Sequence, residues 1–109
     1  MAFDYHLPHT ILSPKDFVDN VRIIFDGGET SYSLAIIEWE GVDRLAMRWN
    51  VARREYDQIQ KQNGTIKSVG MPSSRGYPVW FVLPPELFDI NSVPNRNLQP
   101  FLESLLKLN

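Results

Sequence analysis

Five side chains of this 109-residue sequence have the types and spacing that could bind an anion. Arg53 and Arg54 are adjacent, Arg48 precedes them, and Arg75 and Tyr77 follow in a loop that contains glycine and serine. Guanidinium groups bind phosphate and carboxylate through paired hydrogen bonds, and an aromatic ring beside them can stack on a nucleic-acid base. The sequence therefore predicts a ligand-binding site at Arg48, Arg53, Arg54, Arg75 and Tyr77.

The charge distribution supports a basic patch within an acidic chain. The net charge is −2, but residues 1–43 carry two basic and eight acidic side chains, whereas residues 44–75 carry seven basic and two acidic ones. Such a basic segment can bind a nucleic acid or an acidic protein surface, which are the predicted partners. The alternative is that the acidic segment folds back and pairs with these arginines.

The remaining side chains do not indicate a metal, a cofactor or a known catalytic motif. The absence of cysteine excludes disulfides, thiol catalysis and thiolate metal sites. No phosphate-binding glycine motif or hydrolase motif is present. His6 and His9 are the only histidines, and Pro8 between them disfavours the helix on which such a pair would bind a metal. We therefore expect no metal and no cofactor.

These observations favour a non-enzymatic binding module, and they leave two alternatives open. The first is a small endoribonuclease-like enzyme that cleaves phosphodiesters, in which arginines hold the phosphate and Glu55 or a histidine transfers protons. The second is a structural subunit that forms a homodimer through a sheet edge or an exposed aromatic patch.

Length and composition are those of one globular domain spanning residues 1–109. Hydrophobic residues make up 43% of the chain, charged residues 22% and aromatic residues 12%, which is too much apolar surface for a disordered chain. No apolar run approaches ~18 residues, so we expect no membrane span. The first residues lack the basic and apolar parts of a signal peptide, and we expect a cytoplasmic protein.

The elements that would position the arginines form an α+β domain with about five mainly antiparallel strands. After an irregular arm over 1–12, the pattern predicts a short helix at 14–20 and a three-strand meander at 21–25, 31–40 and 43–50. In the third of these strands Leu45, Met47 and Trp49 point to one face, and Arg44, Ala46 and Arg48 to the other.

Further elements are predicted in the second half of the chain. A middle helix at 51–61 would place Arg53 and Arg54 near its N-terminus, where backbone amides attract anions. Strands at 65–69 and 78–83 and a helical turn ending at Phe88 follow. After an asparagine- and proline-rich link at 91–97, an amphipathic last helix is predicted from Leu98 to Leu108. Its apolar face is predicted to pack on the sheet through Leu98, Phe101, Leu102, Leu105 and Leu106.

Overall fold

A four-stranded antiparallel sheet forms the centre of the protein, whose computed structural model describes residues 2–107 and the side chains of residues 2–105. Its strands lie in the order β1–β2–β3–β6. A separate two-stranded sheet pairs β4 with β5. The bounds are β1 Val18–Asp26, β2 Tyr32–Trp39, β3 Val42–Trp49, β4 Ser73–Ser74, β5 Tyr77–Pro78 and β6 Phe81–Val82. The predicted α+β class and mainly antiparallel sheet are confirmed, but the main sheet has four strands rather than five.

The meander of β1, β2 and β3 agrees with its prediction, and a tight turn fixes its register. Trp39 pairs with Val42, so that Glu40 and Gly41 form a two-residue connection. Both have positive φ angles, 51° and 83°. This combination matches the right-handed twist of paired strands. A fixed register in turn assigns each side chain of β2 and β3 to one face of the sheet.

One face of the main sheet carries the hydrophobic core. Ala35 and Ile37 are fully buried there, Ile11 from the N-terminal segment packs against them, and Trp80 packs from the loop before β6. The Nε1–H of Trp80 donates to the carbonyl of Ile11 at 2.9 Å. Among residues 2–12, the regular structure consists of a 3-10 turn at Pro8–Thr10 and a single bridge at Tyr5. These residues are nevertheless packed on the sheet rather than forming a solvated arm.

The opposite face of the sheet is apolar, and neither described helix packs on it. Its residues share that face because cross-strand partners point to the same side. Tyr32 pairs with Trp49, Leu34 with Met47, and Met47 with Phe81. Trp49 and Phe81 are 47% and 59% exposed. We call this surface the open face; it consists of Tyr32, Leu34, Ile36, Leu45, Met47, Trp49 and Phe81.

The C-terminal helix α2 (Val93–Lys107) begins five residues earlier than predicted because Ser92 caps it. The Ser92 hydroxyl accepts the backbone N–H of Asn95 at 3.2 Å, which satisfies a donor that has no partner within the first turn. The Asn95 side chain donates to the carbonyl of Leu87 at 2.6 Å. This bond fixes α2 to the 3-10 turn Pro85–Phe88, which is the predicted helical turn.

The predicted packing of the C-terminal helix on the sheet is wrong. The main packing partner of α2 in the described part of the chain is the turn Pro85–Phe88. Phe101 is 67% exposed and Leu105 57%, whereas Leu98 and Leu102 are 37% and 36% exposed. The cap and the Asn95 bond fix the start of the helix at the turn Pro85–Phe88 instead. The side chain of Leu106 and the end of the predicted helix at Leu108 lie outside the described residues.

Two predicted helices are replaced by shorter structures that serve tertiary contacts. Residues 14–17 form a turn, and Val18 already belongs to β1 because Phe17 stacks on Trp39, with ring centroids 5.5 Å apart. The predicted helix at 51–61 is a 3-10 turn, Arg53–Glu55, followed by the short helix α1, Ile59–Gln62. Glu55 caps the first turn by accepting the N–H of Ala52, but its carboxylate also accepts the N–H groups of Val69 and Gly70 in the later loop.

The predicted strands of the second half are also shorter than expected. Residues 65–69 contribute only a single bridge, between Ser68 and Tyr5, in place of a strand. The predicted strand at 78–83 is divided between the end of β5 and the short β6. Among the described residues, no helix has the length and apolar character needed to cross a membrane.

Truncating a buried side chain of the sheet should lower the free energy of unfolding more than truncating an exposed one. We expect Ile37→Ala to lower the free energy of unfolding by about 2–5 kcal/mol, because Ile37 is 0% exposed and its removal leaves a cavity. Ile24→Ala is the matched control, since Ile24 is 56% exposed on the neighbouring strand and should cost less than about 1 kcal/mol. Urea unfolding followed by circular dichroism measures both, and equal losses would contradict the assignment of the core.

Candidate functional site

Arg48 lies in β3 and is buried, at 1% exposure. Its Nη1 donates to the carbonyls of Pro72, at 3.2 Å, and Val79. Its Nη2 donates to the carbonyl of Val69. Burial lowers the pKa of Arg48 to about 10, with the charge of Glu55 opposing the shift. The guanidinium is therefore bound to the loop before β6, with its bonded nitrogens facing the loop backbone.

Glu55 completes this contact from the other side of the loop. Its Oε1 accepts the N–H groups of Ala52 at 2.7 Å and Gly70 at 2.9 Å. Its Oε2 accepts the N–H of Val69 at 2.9 Å and the ammonium of Lys61 at 2.7 Å. Burial raises the pKa of Glu55, but the bond from Lys61 and the three backbone bonds outweigh it and hold that pKa below its ordinary value.

Arg48 and Glu55 thus hydrogen-bond to the same stretch of loop backbone: Arg48 to the carbonyl of Val69, and Glu55 to the N–H groups of Val69 and Gly70. We call this arrangement the loop clamp. Gly70 is required because its φ is +75°. A Cβ there would also collide with the carbonyls of Trp49 and Asn50 and with the Arg48 guanidinium. The clamp brings the loop so close to β3 that Trp49 and Met71 exchange backbone hydrogen bonds of 2.7 and 3.0 Å.

Arg53 and Arg54 remain exposed, on the 3-10 turn that adjoins the clamp. The helix dipole that we expected beside them is missing, because the turn has only three residues. Arg54 Nη2 lies 3.4 Å from the hydroxyl of Ser73 in β4. Arg53 lines a cavity of about 310 Å³ together with Trp49, Val51, Ala52, Tyr56 and Met71.

Two aromatic rings, those of Trp49 and Tyr56, line this cavity. Trp49 is held edge-on to Tyr32, with ring centroids 5.8 Å apart and planes at 80°. Tyr56 is half-buried against Phe3, at a centroid distance of 5.7 Å. The cavity therefore combines an apolar, aromatic wall with one guanidinium. We call it the Trp49–Arg53–Tyr56 cavity.

Arg75 and Tyr77 lie on the hairpin of β4 and β5, away from this cavity. Arg75 and Gly76 form the hairpin turn, with φ angles of 51° and 81°. Tyr77 is 67% exposed. Both side chains line a different, smaller cavity, with Ser13, Pro14, Ser74 and Val79. Arg53 therefore lines one cavity, and Arg54 contacts Ser73 of β4. Arg75 and Tyr77 line the other cavity.

The acidic and basic segments of the chain do not neutralise each other through ion pairs in the described part of the structure. One ion pair joins Arg22 to Asp43, both in the acidic segment. The other joins Lys61 to Glu55, both in the basic segment. Among the described residues, neither ion pair includes Arg53 or Arg54.

The sequence interpretation missed Trp49, Tyr56 and Met71 as walls of a cavity. Trp49 carried a signal, because alternation along β3 already separated it from Arg48. For Met71 no local signal exists, because its position follows from backbone pairing with Trp49 across the loop. His6 is half-buried and His9 is exposed. Among the described residues, no three histidine, aspartate or glutamate side chains are grouped to hold a metal.

Comparison with protein-family models, with curated proteins and with solved structures gives no match for this chain.

Removing the clamp arginine should destabilise the fold. We expect Arg48→Met to lower the free energy of unfolding by about 3–5 kcal/mol, because it leaves three loop carbonyls without a donor and removes a charge that faces Glu55. Arg53→Met, at an exposed position, should change it by less than about 0.5 kcal/mol. Urea denaturation measures both; a variant of Arg48 as stable as the parent would refute the clamp.

The clamp also predicts a loss of stability in acid. Because the pKa of Glu55 is lowered in the folded state, its contribution is complete above its ordinary pKa of 4.5 and is lost as the pH falls through the folded pKa. Midpoints of urea unfolding should therefore fall below about pH 5. Glu55→Gln should be less stable at pH 7 and should flatten this dependence, whereas Asp57→Asn, an exposed control, should retain the parent's slope. An unchanged acid slope in Glu55→Gln would show that other groups cause it.

Proposed function

We propose that this protein is a non-enzymatic binding module that takes a short single-stranded nucleic acid at the Trp49–Arg53–Tyr56 cavity. The observation that carries the proposal is the cavity itself, in which exposed Trp49 and half-buried Tyr56 flank Arg53, with Arg54 on the adjoining surface. Aromatic rings that stack on bases, next to cations that contact the backbone, are the two components of single-strand recognition.

The size of the cavity is consistent with one base rather than a duplex. A volume of about 310 Å³ lies at the lower end of the range for small-molecule pockets. The two neighbouring guanidiniums can contact one or two phosphates. Because the chain is acidic overall, with a net charge of −2, binding depends on this local group of charges rather than on a general positive field.

The clamp favours binding over phosphodiester cleavage at this site. Glu55, the proton-transfer candidate of the enzyme alternative, is 1% exposed, and both of its oxygens are occupied by donors. A general base needs a free oxygen within reach of the proton that it accepts. Glu55 in this arrangement positions the loop instead.

Fluorescence anisotropy with a labelled six-nucleotide single strand at low salt tests the proposal. We expect the double variant Arg53→Ala/Arg54→Ala to lose binding, and Arg96→Ala, an exposed arginine on α2, to retain it. With two phosphates contacted, the logarithm of the affinity should fall with the logarithm of salt concentration at a slope of about −1.4. Tyr56→Ala should weaken binding without changing this slope, because stacking releases no counterions.

Three outcomes would overturn the proposal. No binding at low salt removes a nucleic acid as the ligand. Binding of a poly-aspartate peptide in preference to the oligonucleotide assigns the arginines to an acidic protein partner. Cleavage of the labelled strand by the parent protein, absent from the Arg53→Ala/Arg54→Ala variant, supports the enzyme alternative.

A further inference from the structure

Two apolar surfaces have no covering element among the described residues. One is the open face of the main sheet, and the other is the apolar stripe of α2, which includes Leu98, Phe101 and Leu102. We infer that two copies of the chain form a symmetric dimer in which α2 of each copy packs on the open face of the other. This inference does not rest on the ligand proposed above, although Trp49 borders both the open face and the Trp49–Arg53–Tyr56 cavity.

The start of the helix is fixed to the turn Pro85–Phe88, which is its main packing partner in the described part of the chain. Ser92 donates its hydroxyl to the carbonyl of Glu86 at 2.6 Å and caps the helix. Asn95 is buried, at 6% exposure, and bonds to Leu87. These bonds hold the start of α2 at the turn Pro85–Phe88 of its own chain. A second copy can cover the open face with all of them intact.

The exposed area is larger than a compact chain of this mass should have. The accessible surface is 7629 Å² for 12.6 kDa. A compact monomer of that mass exposes about 6,200 Å². The surplus, about 1,400 Å² per chain, would give a total buried area of about 2,800 Å² in a dimer, within the range of obligate homodimers. The radius of gyration, 15.7 Å, likewise exceeds the ~13 Å of a compact domain of this length.

The dimensions of the two surfaces agree. A helix of 15 residues is about 22 Å long, and a strand of 8 residues about 26 Å. A helix is about 10 Å wide, which is the spacing of two to three strands. One α2 therefore covers the centre of the open face, over Leu34, Leu45 and Met47. The reciprocal contact repeats the same pair of surfaces, as a two-fold axis requires.

Charge also favours this pairing. The open-face residues Leu34, Leu45 and Met47 are apolar, whereas Arg22, the cross-strand partner of Ile36, lies on the same face with Glu38 and Asp43 and is ion-paired with Asp43. A helix with leucine and phenylalanine on one side, and Arg96 and Glu103 elsewhere on its surface, can bury its stripe over these three apolar residues without burying a charge. An apolar surface of this kind marks an interface in a folded protein.

Analytical ultracentrifugation of the full chain between 1 and about 200 µM tests the inference. The parent should sediment as a species of twice 12.6 kDa. Phe101→Glu on α2 and Phe81→Glu on the open face should each weaken association by about 30-fold or more, the effect of losing one central apolar anchor. Both positions are exposed in the single chain, at 67% and 59%, so the variants should fold normally by circular dichroism. Ile59→Glu on α1, with Ile59 73% exposed, is the control and should remain dimeric.

Mixing the two variants distinguishes the exchange of helices from other dimers. An equimolar mixture of Phe101→Glu and Phe81→Glu should associate more strongly than either variant alone. The intact helix of one copy then meets the intact sheet of the other, while both substitutions fall in the second contact.

Four results would overturn the inference. They are a monomeric parent over the whole range, a Phe81→Glu variant that still dimerises, a Phe101→Glu variant that still dimerises, and a mixture that associates no better than its components. A Phe81→Glu variant that still dimerises would indicate that the two helices contact each other. A Phe101→Glu variant that still dimerises would indicate that the two sheets contact each other. Loss of oligonucleotide binding with the dimer intact would affect only the proposed function.

Discussion

The contact of Arg48 and Glu55 with the loop at 69–79 is the interaction on which the second half of the structure depends. That loop has almost no regular structure of its own, and its backbone groups would be costly to bury without partners. Arg48 supplies donors to three of its carbonyls, and Glu55 supplies acceptors to two of its N–H groups. Side chains thus supply the hydrogen-bond partners of the loop backbone, as a neighbouring strand does in a sheet.

The same contact determines which groups face a ligand or a partner. The loop clamp places Met71 beside Trp49, and both residues line the aromatic cavity. Glu55 is buried in the short turn, whereas Arg53 and Arg54 of the same turn are exposed. The loop then leads to Trp80, which closes the core, and to Phe81, which joins the open face. A buried polar contact therefore positions both an exposed basic site and an exposed apolar surface.

Local patterns predicted the meander well because turns and alternation are properties of neighbouring residues. The Glu40–Gly41 turn and the apolar run of β2 required no knowledge of the rest of the chain. The arginines could not be sorted in this way, since an arginine that bonds to distant carbonyls and one that faces solvent look alike in the sequence. For the same reason Trp49, a core residue by composition, is half-exposed, while Arg48 beside it is buried. The predictions of helices at 14–20 and 51–61 failed because the non-local contacts of Phe17 with Trp39 and of Glu55 with Val69 and Gly70 are not visible in local propensity.

The bond between Trp80 and Ile11 has a consequence for the order in which the chain folds during synthesis. The two residues are 69 positions apart, and both belong to the same core cluster. The meander can pair as soon as residue 49 has emerged from the ribosome, but its core face lacks Trp80 until thirty-one more residues are made. The nascent meander is therefore a sheet with two uncovered apolar faces. Protection by a chaperone or a fast rate of elongation over this interval would reduce its aggregation.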